Sequence, residues 1–360
     1  METRARWLFV SAVLAVFVSC GLSGAGGWRA RDVESSLAVA ARAHYGWPIE
    51  PFRAQHLVRG QFGDPRVSQT PSRRVVRSIH SGIDVVAPDG TPVFATASGH
   101  AIVYSRRVHV TTSDGRELEY WHIVPAVRDG MQVRAYETVV GRVAPGYGHV
   151  HFAEKAHGLF LNPLRTGGGL TPYADRTTPV VERLTVLSGP HRLPASDVEG
   201  TIDLVVEAYD PPALPLSEPV PRGVAAGPDG DPPALRARPP RHAGYRLEEF
   251  VMTPALLRWR LSTPAGTVVV PWTTAFDVRR AFPHTGFGWS GFDEVYARKT
   301  HQNDSRPGCY RFFLRHRLDT TTLPAGRYLI EVEARDTRGN RGLLRTAVWI
   351  AGRPELAFHS

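Results

Sequence analysis

The sequence reads His80-Ser81-Gly82-Ile83-Asp84 at the start of its most informative segment. Two further clusters follow, Glu119-Tyr120-Trp121-His122 and Gly148-His149-Val150-His151-Phe152. Together they place four histidines and one aspartate beside β-forming residues. Proteins bind zinc through imidazole nitrogen and carboxylate oxygen, and a catalytic zinc site uses three protein ligands. The clusters therefore indicate a metal site carried by β-strands.

The spacing within the clusters predicts how their side chains are presented. Alternate residues of a strand face the same side, so His149 and His151 should project together while Val150 faces the core. On a straight strand His80 and Asp84 would be about 13 Å apart, which is too far for two ligands of one ion. Gly82 permits a bend between them. We therefore expect His80 on a loop and Asp84 on a strand spanning residues 83–86.

Short β-forming runs separated by turn residues surround these clusters and predict an all-β sheet or barrel-like domain. The segment 67–78 is polar and is expected to be an exposed loop. Tyr120 should share the face of His122 and line a groove, whereas Trp121 should pack inside. The predicted strands are residues 93–95, 101–104, 108–111, 117–120, 139–143 and 150–152.

The order of these motifs resembles that of the LytM-type (M23, lysostaphin-like) zinc metallopeptidases. The resemblance rests on His-x-Gly-Ile-Asp at 80–84, Ala-Pro-x-Gly-Thr-Pro-Val at 87–93, Tyr-x-His at 120–122, His-x-His-Phe at 149–152 and the final Asn-Pro at 162–163. It covers about residues 58–164 and implies an antiparallel β-sheet peptidase domain.

The resemblance also implies a role for each clustered residue. It assigns His80, Asp84 and His151 as the ligands of Zn²⁺ and His122 and His149 as the two catalytic histidines. Zinc would acidify water and polarise a carbonyl, while one histidine moves protons and the other stabilises an oxyanion. Which histidine is the base stays open. His100, His109 and His157 are interpreted as surface or core residues without a role.

Two loops depart from the family pattern. Residues 104–110 lack the glycine-rich hairpin, and residues 144–148 form a shortened version of the loop before His149. These changes alter the expected groove walls and hence the substrate range, but they remove no metal-ligating or catalytic side chain.

The amino terminus predicts export. Arg4 and Arg6 precede an apolar run at 7–18 and then small residues, which makes residues 1–27 an export signal. Residues 17–20 resemble a lipobox, so Cys20 is either a lipid anchor or a residue lost with the signal. The chain is thus expected in the cell envelope, as a periplasmic protein or a membrane-anchored lipoprotein, or as a secreted protein.

The remaining segments divide the chain into further expected units. Residues 28–57 are predicted to be a helical lead-in and residues 58–169 the peptidase domain. Residues 175–353 alternate as strands and resemble an immunoglobulin-like β-sandwich with a Pro-rich insertion at 209–242. The overall fold class is therefore mostly β. Cys309 lacks an intrachain disulfide partner if Cys20 leaves with the signal or carries lipid.

The net charge of +9 suits an anionic partner such as an envelope polymer. The chain has no basic run interleaved with aromatic residues, which argues against nucleic acid. The oligomeric state is not assigned.

The leading functional hypothesis is a zinc endopeptidase that cleaves the peptide cross-bridges of bacterial peptidoglycan. One alternative is a non-enzymatic LytM-like protein that binds the envelope or activates another cell-wall hydrolase. Another is a secreted peptidase that acts on Gly-rich proteins.

Overall fold

The computed structural model describes residues 42–69, 75–214, 251–283, 292–298, 300 and 310–351. The predicted export signal, Cys20, most of the helical lead-in, most of the Pro-rich insertion and Cys309 lie outside these residues. Strands dominate the described chain, which confirms the mostly-β fold class. None of its helices is long and apolar enough to cross a bilayer.

Fifteen strands fall among the described residues before 171. They are β1 (His44–Tyr45), β2 (Val58–Gly60), β3 (Pro65–Gln69), β4 (Val75–Ile79), β5 (Ile83–Val86), β6 (Pro92–Phe94), β7 (Gly99–Tyr104), β8 (Arg107–Thr111), β9 (Arg116–Trp121), β10 (Ile123–Pro125), β11 (Gln132–Val133), β12 (Val139–Val143), β13 (His149–Ala156), β14 (Leu159–Leu161) and β15 (Gly169–Leu170).

Nine described strands follow, with one short helix and one 3₁₀ turn. They are β16 (Val180–Ser188), β17 (His191–Leu193), β18 (Thr201–Tyr209), β19 (Leu256–Ser262), β20 (Val268–Asp277), β21 (Ala281–Pro283), α1 (Phe292–Val295), β22 (Arg311–Asp319), the 3₁₀ turn Thr320–Thr322, β23 (Gly326–Arg335) and β24 (Arg341–Ile350).

Strand β13 is the centre of the largest sheet. The order is β11-β7-β8-β9-β13-β14-β21, and β5 also pairs with β13 while β2 pairs with β5. The strands predicted between residues 93 and 152 are present as β6, β7, β8, β9, β12 and β13. Alternation along β13 places Val150 and Phe152 in the core and leaves His149 and His151 on the opposite face.

The C-terminal half contains two four-stranded antiparallel sheets, β17-β16-β18-β22 and β20-β19-β23-β24. Apolar residues from both sheets, such as Val206 and Trp259, are buried in one continuous core. The immunoglobulin-like assignment and the domain limits stay predictions. Pairings cross the expected limits, because β21 joins β14 and the parallel partner of β15 is β1.

One local expectation is wrong, and a second is open to comparison only at its end. Most of the predicted helical lead-in lies outside the described residues. Its described part, residues 42–57, contains the strand β1 and turns, and Trp47 is fully buried there with its indole N–H donating to the Pro172 carbonyl at 2.9 Å. Residues 67–78 are not simply a loop, since β3 and β4 form a two-stranded hairpin on either side of residues 70–74.

A buried ion pair anchors the far end of β13. Glu154 is fully buried and receives two hydrogen bonds from Arg165, at 2.5 and 3.1 Å. Tyr45 donates its hydroxyl to the same carboxylate, and Arg116 lies 3.5 Å away. Burying a carboxylate is costly unless it is paired and hydrogen-bonded, so this network fixes β13 against β1 and the segment after β14.

We expect Arg165→Met to destabilise the protein by about 3–5 kcal/mol, because it leaves the buried Glu154 charge paired with Arg116 at the longer distance of 3.5 Å. Urea denaturation measures the change. Arg134→Ala is the control, since its pair with Glu137 is exposed and should change stability by less than about 0.5 kcal/mol. Equal losses in the two variants would contradict the role given to Glu154.

Candidate metal centre

The pairing of β5 with β13 brings the first and third sequence clusters together. The strands are antiparallel, and their register sets His151 directly opposite Asp84 and His149 opposite Val86. His80 lies outside the strand, between β4 and β5, as expected from the sequence. The chain turns between His80 and Asp84, so both side chains reach the same point on the sheet face.

Three potential ligand atoms converge there. His80 Nε2 is 3.1 Å from Asp84 Oδ1, His151 Nδ1 is 3.2 Å from the same oxygen, and the two nitrogens are 2.8 Å apart. Ligands of a tetrahedral zinc ion with bonds of about 2.1 Å are about 3.4 Å from one another. The donor types and their separations therefore fit zinc, and all three residues are buried.

Neighbouring groups orient these donors. His80 Nδ1 is 2.8 Å from the Gln61 carbonyl, so this nitrogen carries the proton and leaves Nε2 with a lone pair toward Asp84. Arg66 donates to the other carboxylate oxygen, Asp84 Oδ2, at 2.8 Å. Burial opposes ionisation of Asp84, but His80, His149 and Arg66 outweigh it and hold its pKa well below the usual range.

Gly82 is required for a reason that differs in part from the sequence argument. It is not among the residues with left-handed backbone. A Cβ at this position would lie 2.4 Å from the Phe152 carbonyl oxygen and 2.9 Å from the His151 ring. Both atoms belong to β13, so the glycine lets the bend between His80 and Asp84 lie directly against the strand that carries His151.

His149 lies beside the three donors on the same face. Its Nδ1 is 2.7 Å from the Tyr147 carbonyl, which assigns the proton to Nδ1, and its Nε2 is 3.7 Å from Asp84 Oδ1. Burial, followed by the charge of Arg59, lowers its pKa well below the ordinary value. The ring is therefore neutral at neutral pH, with an unprotonated Nε2 facing the site.

His122 follows β9 in a left-handed backbone conformation, with φ of 65°. Its ring stacks on Tyr147 at 4.4 Å between centroids and lies 4.8 Å from the His149 ring. Burial lowers the pKa of His122 to about 3, helped by the neighbouring His151. The structure thus brings together all five residues singled out from the sequence.

The expected positions of Tyr120 and Trp121 are reversed. Tyr120 is fully buried and its hydroxyl oxygen accepts a hydrogen bond from the Thr96 backbone N–H at 2.7 Å. Trp121 instead pairs with His151 across β9 and β13, with 5.6 Å between the rings. The alternation cannot be counted through His122, because its left-handed backbone turns the chain at the end of β9.

One residue near the site, Arg66, was missed from the sequence. Arg66 donates to Asp84, and none of the motifs singled out in the sequence contains it. His109 is buried on the same sheet face as Trp121, with its Nδ1 2.6 Å from Glu117 and its Nε2 3.8 Å from Glu119. The two glutamates thus surround His109 with acidic groups. His109 lies two residues after Arg107 on β8, and Arg107 is paired with Trp121 across β8 and β9.

No family model matches this chain, and no curated protein matches it. Similar regions occur in solved structures of M23 and lysostaphin-type peptidase domains. The catalytic domain of lysostaphin from Staphylococcus simulans is 20% identical, with 29% of this chain and 86% of that chain covered and a TM-score of 0.24.

Two other structures cover a similar share of this chain. The catalytic domain of the M23 protein EnpA from Enterococcus faecalis is 23% identical, with 34% of this chain and 98% of that chain covered and a TM-score of 0.25. A structure of the SpoIIQ–SpoIIIAH pore-forming complex is 21% identical, with 34% of this chain and 90% of that chain covered and a TM-score of 0.29.

We expect Gly82→Ala to lose bound zinc, because the added methyl group must displace either the Phe152 carbonyl or the His151 ring. Ser81→Ala is the control, since this neighbouring residue already carries a Cβ. Metal analysis of the purified proteins measures the effect. Stoichiometric zinc in Gly82→Ala would show that the bend tolerates a side chain.

Proposed function

We propose that this protein is a zinc-dependent endopeptidase. The observation that carries the proposal is the convergence of His80 Nε2, Asp84 Oδ1 and His151 Nδ1 within 3.2 Å of one another, with His149 beside them. Three ligands of this type are typical of catalytic zinc sites, whereas structural sites use four. In this proposal the three residues hold Zn²⁺.

The chemistry of the site follows from the tautomers and the burial of its histidines. Bound zinc supplies an acidified water and a polarised carbonyl. His149 acts as the general base, since its Nδ1 proton is held by the Tyr147 carbonyl and its Nε2 is free to accept a proton and pass it to the leaving amine. His122, fixed by its stack on Tyr147, donates to the oxyanion.

The proposed substrate is the peptide cross-bridge of bacterial peptidoglycan. Three features support it: the ordered motifs that resemble the LytM-type peptidases, the predicted export signal at 1–27, and the net charge of +9, which suits an anionic envelope polymer. We place the protein in the cell envelope or outside the cell. Cys20 would be the attachment point if the protein is lipid-anchored.

The strand order of the C-terminal half supports the immunoglobulin-like assignment. One sheet contains β16, β17, β18 and β22, and the other contains β19, β20, β23 and β24. The chain thus passes from one sheet to the other between β18 and β19, between β20 and β22 and between β22 and β23, and crossings of this kind are typical of Greek-key sandwiches. We propose that residues 175–353 form such a sandwich attached to the peptidase domain.

Digestion of purified peptidoglycan tests the proposed function. We expect zinc-dependent release of muropeptide fragments by the wild-type protein, with masses that identify the cleaved bond, and no release by His151→Ala. If the zinc-loaded wild-type protein binds peptidoglycan without releasing fragments, the endopeptidase proposal fails and an envelope-binding role replaces it.

We expect His149→Ala to keep stoichiometric zinc and to lose turnover by about 10²–10⁴-fold, because the variant removes a proton acceptor and no ligand. His151→Ala should lose both zinc and turnover. Metal analysis and initial rates on the same preparations separate the two effects. His100→Ala, an exposed histidine of β7, serves as the control. Loss of zinc in His149→Ala would contradict its assignment as the base.

A further inference from the structure

Three aspartates meet at the junction between the two halves of the chain. Asp175 follows β15, Asp210 directly follows β18, and Asp336 lies in the turn between β23 and β24. Only 8%, 0% and 1% of their respective surfaces is exposed. One carboxylate oxygen from each lies within 4.8 Å of the others. Residues distant in sequence therefore form a single buried acidic cluster.

Asp210 carries the clearest sign that a ligand is needed. Neither of its carboxylate oxygens has a hydrogen-bond partner among the described residues, although its backbone pairs with Met252. Its pKa is raised well above the ordinary value by burial and then by the charges of Asp175, Asp336 and Asp64. Leaving a buried carboxylate without a partner is costly, so this side chain faces the other two acids at an energetic penalty.

The hydrogen bonds to the Asp336 carboxylate come from neutral groups. Its Oδ1 accepts the backbone N–H groups of Arg338 and Asn340, both at 2.8 Å, and Asn340 Nδ2 donates to Oδ2 at 2.5 Å. These bonds fix the carboxylate within its turn. Because the donors are neutral, they do not themselves offset its negative charge.

Asp175 is held in the same way. Its Oδ1 accepts the backbone N–H of Thr177 at 2.8 Å and the hydroxyl of the same residue at 2.5 Å, and Tyr173 donates to Oδ2 at 3.2 Å. Arg338 is the nearby cation and lies over the Tyr173 ring at 4.8 Å. Its charge acts on Asp336 and Asp175 but is not among those that shift the pKa of Asp210.

We propose that Asp175, Asp210 and Asp336 bind a calcium ion. All the donors are carboxylate oxygens, which hard cations prefer, and no nitrogen or sulfur donor belongs to the described cluster. Ca²⁺ binds oxygen at 2.3–2.6 Å, so ligands on opposite sides of one ion are about 5 Å apart, and donor atoms that all lie within 4.8 Å of one another can reach a single ion. Three carboxylates provide up to six oxygens, and both oxygens of Asp210 lack a hydrogen-bond partner among the described residues.

The ion would tie the C-terminal strands to the segment that leaves the peptidase half. Asp210 pairs with Met252, and the next residue, Thr253, donates its backbone N–H to Asp64 at 2.8 Å. Asp64 also accepts the backbone N–H of Gln61, whose carbonyl contacts His80. The site is thus structural and shares no residue with the proposed zinc ligands. It would stabilise the junction that connects through Asp64 and Gln61 to the loop carrying His80.

Terbium luminescence tests binding on the unmodified protein. Tb³⁺ replaces Ca²⁺ at oxygen sites and is excited through a nearby aromatic ring, which Tyr173 provides. We expect tyrosine-sensitised emission from the zinc-loaded protein and its displacement by added Ca²⁺ with no change in zinc content. Absence of sensitised emission, or emission that Ca²⁺ does not displace, would overturn the proposal.

Thermal unfolding with and without Ca²⁺ tests the residues. We expect Ca²⁺ to raise the Tm of the wild-type protein by several degrees and to leave that of Asp210→Asn unchanged. Without Ca²⁺ the variant should be at least as stable as the wild type, because a neutral amide replaces a carboxyl group whose ionisation is unfavourable beside Asp175 and Asp336. Asp197→Asn, an exposed acid in the same half, should respond like the wild type. An equal Ca²⁺ response in wild type and Asp210→Asn would overturn the assignment.

Discussion

The register between β5 and β13 is the constraint on which the rest of the site depends. It sets Asp84 opposite His151 and keeps His149 on the same face, two residues away. A slip of one residue would turn all these side chains to the other face and bring Val85 and Val150 out of the core. Burial of those two valines therefore specifies the metal centre as well as the fold.

Two sets of buried carboxylates in the described chain differ in their partners. Glu154 is paired with Arg165 and Arg116, and Asp84 is paired with Arg66, so each carboxylate has a cation in hydrogen-bonding or ion-pair distance. The junction aspartates have neutral donors, and Asp210 has none among the described residues. The first group has its positive partners within the protein and therefore fixes its strands without a bound ion. In the second group Arg338 acts on Asp336 and Asp175 but not on Asp210, so a bound cation would offset the remaining repulsion and link the stability of the junction to ion binding.

Much of the site is predictable because its signals are local. The alternation in His149-Val150-His151 and the glycine between His80 and Asp84 each act within five residues of the chain. The reversed positions of Tyr120 and Trp121 were not predictable in this way, since the left-handed backbone of His122 breaks the period. The β3–β4 hairpin was missed because it pairs only with itself and carries polar residues. The junction aspartates gave no signal, as only the tertiary fold brings them together.

Ligation of one zinc ion by His80, Asp84 and His151 would be visible in an anomalous difference map collected at the zinc edge from crystals of the zinc-loaded protein. We expect one strong peak about 2.1 Å from His80 Nε2, Asp84 Oδ1 and His151 Nδ1. A peak at His109 and its glutamates, or a peak coordinated by His149 in place of one of the three, would contradict the assignment of ligands and base.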